Sequence, residues 1–517
     1  MEKGIKKISQ HIYKCISEED DLPMQDKTQS TPNGITYTEN GGLAYSTTWD
    51  ACLDLFAQIG ALRLAEESDV IALFEKAYRV NATLAMRILF YARDAREGLG
   101  ERRVFRILFR HLAKKHTQSA KKVIPYIAEY GRYDDLLCLL RTPCESDVIR
   151  LIKDQLDADM AALEQNAAVS LLGKWLPSAN TSCTQTVKDA KYLIRRLGME
   201  ERSYRKMLSA LRKKIAIIEN HLRERDYSFD YGAQPAKAML RYSKTFIRND
   251  TARYAAYLTA VKRGEKTMHT DTLYPYEVVK PIFRDQFLLY GIEDIDKDAY
   301  ASLDVTWNAL PDFTDDENAL VVMDGSGSMY CTGDPLPIEV ASSLALYYAD
   351  RNKGAFAGRF ITFSERPQMV QLKGDTVLDK LLHCISYDEP ANTNLSAVFD
   401  LLLEEAVTYK VPQSQMPKKL YIISDMEFDE CVGGAEISDF HYAEARFHSY
   451  GYQLPQIVFW NVQSRHGHLP VQVNDQGVAL VSGCSARTFE MLRGNLTDPL
   501  CVMLKIIGRE RYAKITA

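Results

Sequence analysis

The hydrophobic pattern changes type once along the chain, and this change limits the possible folds more than any other feature. From about Trp49 to residue 300, apolar residues recur three and four positions apart, as they do on one face of an α-helix. After residue 318, short apolar runs alternate with helical segments. Alternating buried strands and helices form a parallel sheet with helices on both faces. The sequence therefore predicts an N-terminal all-α domain followed by a C-terminal α/β domain.

Four segments follow from this pattern. Residues 1–45 are predicted to be a polar arm, and residues 46–303 an α-helical repeat domain, because glycine breaks separate helices at regular spacing. An acidic stretch containing Pro311 predicts a linker at residues 304–318, and residues 319–517 form the predicted α/β domain. Its predicted strands are residues 319–323, 360–363, 420–423, 457–460 and 478–481. Its predicted helices are residues 338–348, 395–406 and 442–450, with two more from about residues 487 and 500.

Composition excludes several classes of protein. The formal net charge is only −5, so a nucleic-acid surface would have to be a local patch. The ten cysteines are scattered without a Cys-x-x-Cys pair, which is typical of reduced thiols in a cytosol. No apolar segment follows the N-terminal lysines, and no run is long enough to cross a bilayer. We expect a cytoplasmic protein with no membrane partner.

Three predicted loops of the α/β domain carry oxygen ligands. Asp324-Gly-Ser326-Gly-Ser328 follows the first strand, Asn392-Thr393-Asn394 precedes a helix, and Ser424-Asp425 follows a later strand. Ligands of such sheets bind at the carboxyl ends of the strands. Carboxylates and hydroxyls are the donors that a small hard cation such as Mg²⁺ prefers. The alternative is that Asp-x-Ser-x-Ser is a chance turn sequence, and the other two loops in their expected places argue against it.

These residues resemble the metal-ion-dependent adhesion site of von Willebrand factor A (vWA) domains. The resemblance implies a Rossmann-like α/β fold, with Mg²⁺, Mn²⁺ or Ca²⁺ as the cofactor. It also implies that an acidic residue of a partner protein completes the coordination of the ion. Carried over position by position, the implied metal residues are Asp324, Ser326, Ser328, Thr393 and Asp425.

Several unusual strings extend the resemblance over roughly residues 45 to 505. They include Arg93-Asp94-Ala-Arg96-Glu, Tyr130-Gly-Arg-Tyr-Asp134-Asp-Leu, Lys174-Trp175-Leu-Pro177-Ser and Ser424-Asp425-Met-Glu427-Phe-Asp429. They resemble a vWA-containing family of plants, bacteria and large viruses that is known by a domain-of-unknown-function name. The organisation is similar to that of the Ro autoantigen (TROVE) proteins, in which HEAT-like helical repeats bind small structured RNA beside a vWA domain. That second resemblance implies a function only by analogy.

A local basic patch lies between Lys188 and Arg225, where twelve Lys and Arg residues face five Asp and Glu residues in sequence. Spacings of three, four and seven residues place these cations on one broad helical face, with Tyr192 and Tyr204 available for base stacking. The alternative is a solvated outer face. Trp175 is expected to be a core anchor. The candidate RNA-binding residues are Lys174, Arg195, Arg196, Arg202, Arg205, Lys206, Arg212 and Lys213.

The functional prediction is a non-catalytic, divalent-metal-dependent scaffold that binds RNA or ribonucleoprotein. One alternative is a protein–protein adaptor that uses the metal site, and a weaker one is a metal-dependent hydrolase. Glu427 and Asp429 lie near the metal loop, but hydrolysis also requires more carboxylates or a proton-moving histidine. His466 and His468 have no evident third ligand in the sequence.

Overall fold

The computed structural model describes residues 34–286, 300–314, 317–353, 355–387, 393–430 and 438–517. The N-terminal region is helical, and successive helices pack against one another. Local signals begin several of them: Asp50 accepts a hydrogen bond from Leu53 N, and Asn81 from Leu84 N. The helices are α1 Ala51–Gln58, α2 Glu67–Val80, α3 Ala82–Arg93, α4 Arg103–Lys115, α5 Thr117–Val123, α6 Ile127–Tyr130, α7 Glu145–Glu164, α8 Leu172–Trp175, α9 Thr184–Leu197, α10 Glu201–Lys214, α11 Ile218–Glu224, α12 Ala236–Asn249, α13 Thr251–Lys262, α14 Pro275–Gln286 and α15 Ala301–Asn308.

The predicted linker overlaps the last of these helices. Asp304 lies inside α15, and its carboxylate accepts a hydrogen bond from Val377 N at 2.6 Å. Residues 315 and 316 of the acidic stretch lie outside the described residues. The acidic residue at the predicted boundary therefore fixes a helix to the α/β domain.

The C-terminal region contains a mixed sheet of six strands, of which the alternating pattern predicts five. The strands are β3 Ala319–Asp324, β4 Arg359–Phe363, β5 Met369–Gln371, β6 Lys419–Ser424, β7 Gln456–Asn461 and β8 Val478–Ser482. Their order is β5-β4-β3-β6-β7-β8, and all pairs are parallel except β4 with β5. This is the doubly wound order, in which the direction of winding reverses between β3 and β6. The helices are α16 Pro337–Arg351, α17 Val377–Ile385, α18 Leu395–Thr408, α19 Asp439–Ser449, α20 Arg487–Met491 and α21 Pro499–Ile507.

A hairpin within the predicted arm packs on the α/β domain. β1 Ile35–Tyr37 pairs with β2 Leu43–Tyr45 in antiparallel fashion. Tyr45 and Leu469 exchange two backbone hydrogen bonds of 2.8 and 2.9 Å, and Thr38 donates its hydroxyl to Phe428 O. Residues 1–33 lie outside the described part of the chain. The end of the predicted arm is thus a structured part of the sheet's carboxyl edge.

The helical and α/β regions share one continuous hydrophobic core. Helix α1 packs on β8, where Gly60 N donates to Ser482 Oγ at 2.9 Å. A Cβ at Gly60 would lie 2.8 Å from Gly483 N, so only glycine permits this approach. At the C-terminus, Arg511 donates to the buried carboxylate of Asp94 after α3.

The string around Asp134 and Asp135 holds three helical segments together. The fully buried carboxylate of Asp135 binds the guanidinium groups of Arg93 and Arg106. The backbone around it, Tyr133–Leu139, is a 3-10 helix, and Asp135 also accepts a hydrogen bond from Arg132 N. Asp135 therefore neutralises the buried guanidinium of Arg93 in addition to capping a short 3-10 helix.

Candidate metal site and basic groove

The loop after β3 brings a buried carboxylate and two hydroxyls together. Asp324 is completely buried, and its Oδ1 accepts a hydrogen bond from Ser326 N at 2.9 Å. The hydroxyl oxygens of Ser326 and Ser328 are 3.1 Å apart. Ser424, the last residue of β6, donates its hydroxyl to Asp324 Oδ2 at 2.6 Å. The switch point between β3 and β6 thus carries hard oxygen donors from both strands.

Asp425 adds a second buried carboxylate beside the first. Burial and the charge of Asp425 raise the pKa of Asp324, and burial also raises the pKa of Asp425. Arg465 Nη2 lies 3.1 Å from Asp425 Oδ2, but no group in the described chain gives that oxygen a well-directed hydrogen bond. Two buried carboxylates close together favour a bound cation. The donor set of Asp324, Ser326, Ser328 and Asp425 fits Mg²⁺.

Thr393 belongs to a neighbouring hydrogen-bond network. Its hydroxyl donates to Glu427 O at 2.8 Å and lies 3.3 Å from Asp429 Oδ1. Asn40 of the hairpin donates to the same hydroxyl at 3.1 Å. The structure therefore joins Thr393 to the loop that follows Asp425, and its coordination of an ion stays a prediction. Asn392 lies outside the described residues.

A cluster that the sequence analysis missed lies at the same edge of the sheet. Glu427 is buried, and its carboxylate contacts the Nδ1 atoms of His466 and His468 at 3.3 and 3.0 Å. Burial opposes ionisation of Glu427, but hydrogen bonds from both histidines hold its pKa well below the usual range. Glu427 lies in the loop after β6, and the two histidines lie in the loop after β7, the strand next to β6. Strand adjacency was the signal that could have identified it.

The hairpin reaches both groups of residues. Glu39 Oε2 lies 3.1 Å from Arg465 Nη2, and Glu39 Oε1 lies 3.3 Å from His466 Nε2. Glu39 N donates to Glu427 Oε2 at 3.0 Å. Asn40 Nδ2 donates to Glu427 O at 2.8 Å. An N-terminal segment thus contacts the loops that carry the candidate ligands.

Five of the eight candidate RNA-binding residues line one groove. The groove has a volume of about 1240 Å³ and lies along α10 and α11. Four acidic residues share its walls, which restricts the places where a phosphate can be held. The five candidates are Arg202, Arg205, Lys206, Arg212 and Lys213, and Arg223 also lines the groove. The four acidic ones are Glu200, Glu201, Glu224 and Asp226.

Arg212 has a structural role that the helical spacing did not predict. Its guanidinium donates to Gly173 O, Leu176 O and Ser178 Oγ at 2.9, 2.7 and 2.6 Å. Burial lowers its pKa. Three of its five N–H donors bind the segment around α8, so Arg212 supports the wall of the groove, and its role as a phosphate ligand stays a prediction.

The remaining basic candidates lie outside the lining of this groove. Both Arg195 and Arg196 are exposed, and Arg196 pairs with Glu145 at 2.5 Å. Lys174 Nζ lies 5.4 Å from the centroid of the Trp175 ring. Trp175 is half-buried rather than a core anchor, and the Arg132 guanidinium stacks on its ring at 3.8 Å.

Of the two tyrosines in the basic segment, one is buried and the other is partly covered by an arginine. Tyr204 is fully buried and donates its hydroxyl to Pro177 O at 2.9 Å. Arg141 covers the Tyr192 ring at 4.4 Å, and the Tyr192 hydroxyl donates to Glu145 at 2.7 Å. The expectation was wrong for Tyr204, whose ring is buried, whereas base stacking by the half-buried Tyr192 stays a prediction.

The fold and site together define a doubly wound α/β domain with an oxygen-rich edge, joined to a helical region. Residues 318–498 match a family model described as domain of unknown function DUF7788. Residues 38–143 and 180–318 match a second, described as domain of unknown function DUF2828. An uncharacterized protein of Acanthamoeba polyphaga mimivirus is 29% identical over 514 residues, covering 92% of this chain and 87% of that protein.

Among solved structures, the chain is similar to the Ro (RSR) protein of Deinococcus radiodurans. The sequence identity is 13%, the TM-score is 0.44, and the match covers 84% of this chain and 93% of the other. A likeness at this level carries no functional inference. Separately, none of the described helices combines the length and apolar character needed to span a membrane.

Proposed function

We propose that the chain is a non-catalytic binding scaffold in which a vWA-type domain holds a divalent cation and a TROVE-like helical region binds RNA. The observation that carries the proposal is the meeting of Asp324, Ser326, Ser328 and Asp425 at the switch point of the sheet. Because all of these donors are oxygen atoms and two carboxylates are buried, the site favours a small hard cation.

The cation would be held by Asp324, Ser326, Ser328 and Asp425, with Thr393 as the further ligand that the motif implies. Mg²⁺ fits this donor set, and Mn²⁺ or Ca²⁺ would use the same oxygens. When bound, the ion supplies a Lewis-acidic position for an acidic group of a protein partner. Arg465 contacts Asp425 in the structure, so a bound cation would share that carboxylate with a guanidinium.

RNA is proposed as the occupant of the basic groove. Arg202, Arg205, Lys206 and Lys213 line the groove with exposed side chains, whereas Arg212 supports its wall. Exposed cations spaced along a concave surface can follow a phosphate backbone. The acidic residues in the groove would repel phosphate groups and so restrict where the backbone can lie.

Titration calorimetry with MgCl₂ tests the cation site. Asp324→Ala should abolish the binding that the unmodified chain shows. Asp400→Ala is the matched control, because Asp400 pairs with Arg446 on helix α19 and should leave the titration unchanged. Equal Mg²⁺ binding by the unmodified chain and Asp324→Ala would remove the metal-dependent part of the proposal.

Electrophoretic shift of a structured RNA tests the groove. The triple variant Arg202→Ala, Arg205→Ala, Lys213→Ala should weaken binding and lower its salt dependence, by about 0.9 in logarithmic slope for each phosphate that the protein no longer neutralises. Lys153→Ala, Lys188→Ala, Lys191→Ala removes as many exposed charges outside the groove and should bind as the unmodified chain does. If both triple variants bind equally well, the groove is not the RNA surface and the adaptor alternative stands.

A further inference from the structure

We propose that Glu427, His466 and His468 form a second metal site, of mixed nitrogen and oxygen ligands, that takes Zn²⁺ or a similar transition metal. Within the described residues, it is the one group of at least three His, Cys, Asp or Glu residues whose ligand atoms converge, all lying within 4.8 Å of one another. The site lies beside the oxygen-rich site and goes beyond the function proposed above.

The distances between ligand atoms suit tetrahedral coordination. A single oxygen, Glu427 Oε1, lies 3.3 Å from His466 Nδ1 and 3.1 Å from His468 Nδ1. Bonds of about 2.0–2.1 Å in a tetrahedron put neighbouring ligand atoms roughly 3.3 Å apart. One ion could therefore replace the contacts between carboxylate and imidazoles with only small side-chain movements.

Groups around the cluster hold the ligands in the required orientation. Glu39 Oε1 lies 3.3 Å from His466 Nε2, the ring nitrogen that faces away from Glu427. A carboxylate on the outer nitrogen fixes the tautomer and orientation of a metal-bound histidine. Glu39 N also donates to Glu427 Oε2 at 3.0 Å. The hairpin therefore supports two of the three proposed ligands through a single residue.

A second Glu–His–His group, around Glu75, differs from the proposed metal site because a lysine neutralises its carboxylate. Glu75 Oε1 accepts from both His111 and His116, at 2.8 and 2.9 Å, while Lys115 Nζ lies 2.8 Å from Oε2. The lysine supplies the positive charge there. Among the ion pairs of the described chain, Glu427 has the two histidines as partners and no lysine or arginine.

Solvent can reach the cluster from the side of His466. The side chains of Glu427 and His468 are buried, whereas that of His466 is 32% exposed. Three protein ligands with one accessible position leave room for a water or a partner's ligand. Imidazole favours Zn²⁺, Cu²⁺, Ni²⁺ or Fe²⁺ over Mg²⁺, so the two neighbouring sites would take different metals.

Equilibrium dialysis of the full-length chain against Zn²⁺ in excess Mg²⁺, followed by elemental analysis, tests the proposal. We expect one Zn²⁺ per chain, and at least about 100-fold weaker binding in His466→Ala, His468→Ala. Glu39→Gln should weaken binding by about 10-fold, as loss of a supporting carboxylate does. Co²⁺ should give the visible absorption of a low-symmetry site in the unmodified chain and lose it in the histidine variant.

Two control variants separate the possible outcomes. His111→Ala, His116→Ala should retain Zn²⁺, because that cluster already contains a lysine. Asp324→Ala should retain Zn²⁺ even though it loses Mg²⁺, so failure of the oxygen-rich site would not be mistaken for failure of this one. Absence of Zn²⁺ from the unmodified chain, or undiminished Zn²⁺ in a folded His466→Ala, His468→Ala variant, would overturn the proposal.

Discussion

Asp135→Asn should be among the most damaging single changes in the helical region. The Asp135 side chain has no exposed area, and that of its partner Arg93 is only 2% exposed. Arg93 Nε, Arg106 Nε and Arg132 N lie 2.7, 2.7 and 3.0 Å from its two oxygens. Asparagine removes the negative charge and turns an NH₂ group toward donors, which leaves a buried guanidinium without its counter-charge.

The magnitude follows from this burial. Removal of one partner of a buried ion pair costs about 3–5 kcal/mol, because the other charge stays desolvated. The neighbouring Asp134 is the matched control: it pairs with Arg132, Arg106 and Arg102, but its side chain is 16% exposed. Solvent screening limits the cost of Asp134→Asn to about 1 kcal/mol.

Urea denaturation followed by circular dichroism, together with amide hydrogen exchange of α3 and α4, measures the difference. The exchange data are needed because a chain of this size need not unfold in one step. The double variant Arg93→Met, Asp135→Asn also removes the buried guanidinium and should recover part of the stability. If Asp135→Asn were no more destabilising than Asp134→Asn, the reasoning from burial would be refuted.

Three further predictions concern other parts of the chain. Arg212→Ala should destabilise the α8 segment, which would be seen as faster amide exchange at Gly173. Weaker RNA binding without faster exchange would contradict the structural role of Arg212. Arg465→Gln should strengthen Mg²⁺ binding severalfold in calorimetry, because the guanidinium no longer competes for Asp425, and unchanged or weaker binding would contradict that competition. Burial opposes ionisation of Glu75, but hydrogen bonds from Lys115, His111 and His116 lower its pKa to about 2 from 4.5. The contribution of ionised Glu75 to the free energy of unfolding is therefore complete above about pH 4.5 and is lost as the pH falls toward 2. In urea titrations, the difference in free energy of unfolding between the unmodified chain and Glu75→Gln should narrow over that range. A constant difference would refute this prediction.

Local sequence patterns predicted the sheet and the oxygen-rich loops because both depend on short-range rules. A wholly apolar run predicted β3, and the carboxyl-end rule placed Asp324 and Asp425 at one edge. Strand β5 was missed, since three residues at the edge of a sheet carry no recognisable alternation. The helical periodicity from about Trp49 to residue 300 predicted helices, in agreement with the observed α1 to α14.

Contacts between distant segments could not be predicted in this way. Glu39 and Glu427 are joined by a hydrogen bond across 388 residues of sequence, and periodicity contains no information about such a pair. Helical spacing placed Tyr204 and Arg212 on a basic face, but it could not show that neighbouring segments bury the first and accept three hydrogen bonds from the second. The direction in which a helix faces is decided by tertiary packing.

Anomalous diffraction from crystals grown with Mn²⁺ would test the central claim most directly. The account predicts an anomalous peak about 2.2 Å from side-chain oxygens of Ser326 and Ser328 and near the carboxylates of Asp324 and Asp425. A peak only at other positions, or none while Arg465 stays in contact with Asp425, would contradict a cation site at the switch point of the sheet.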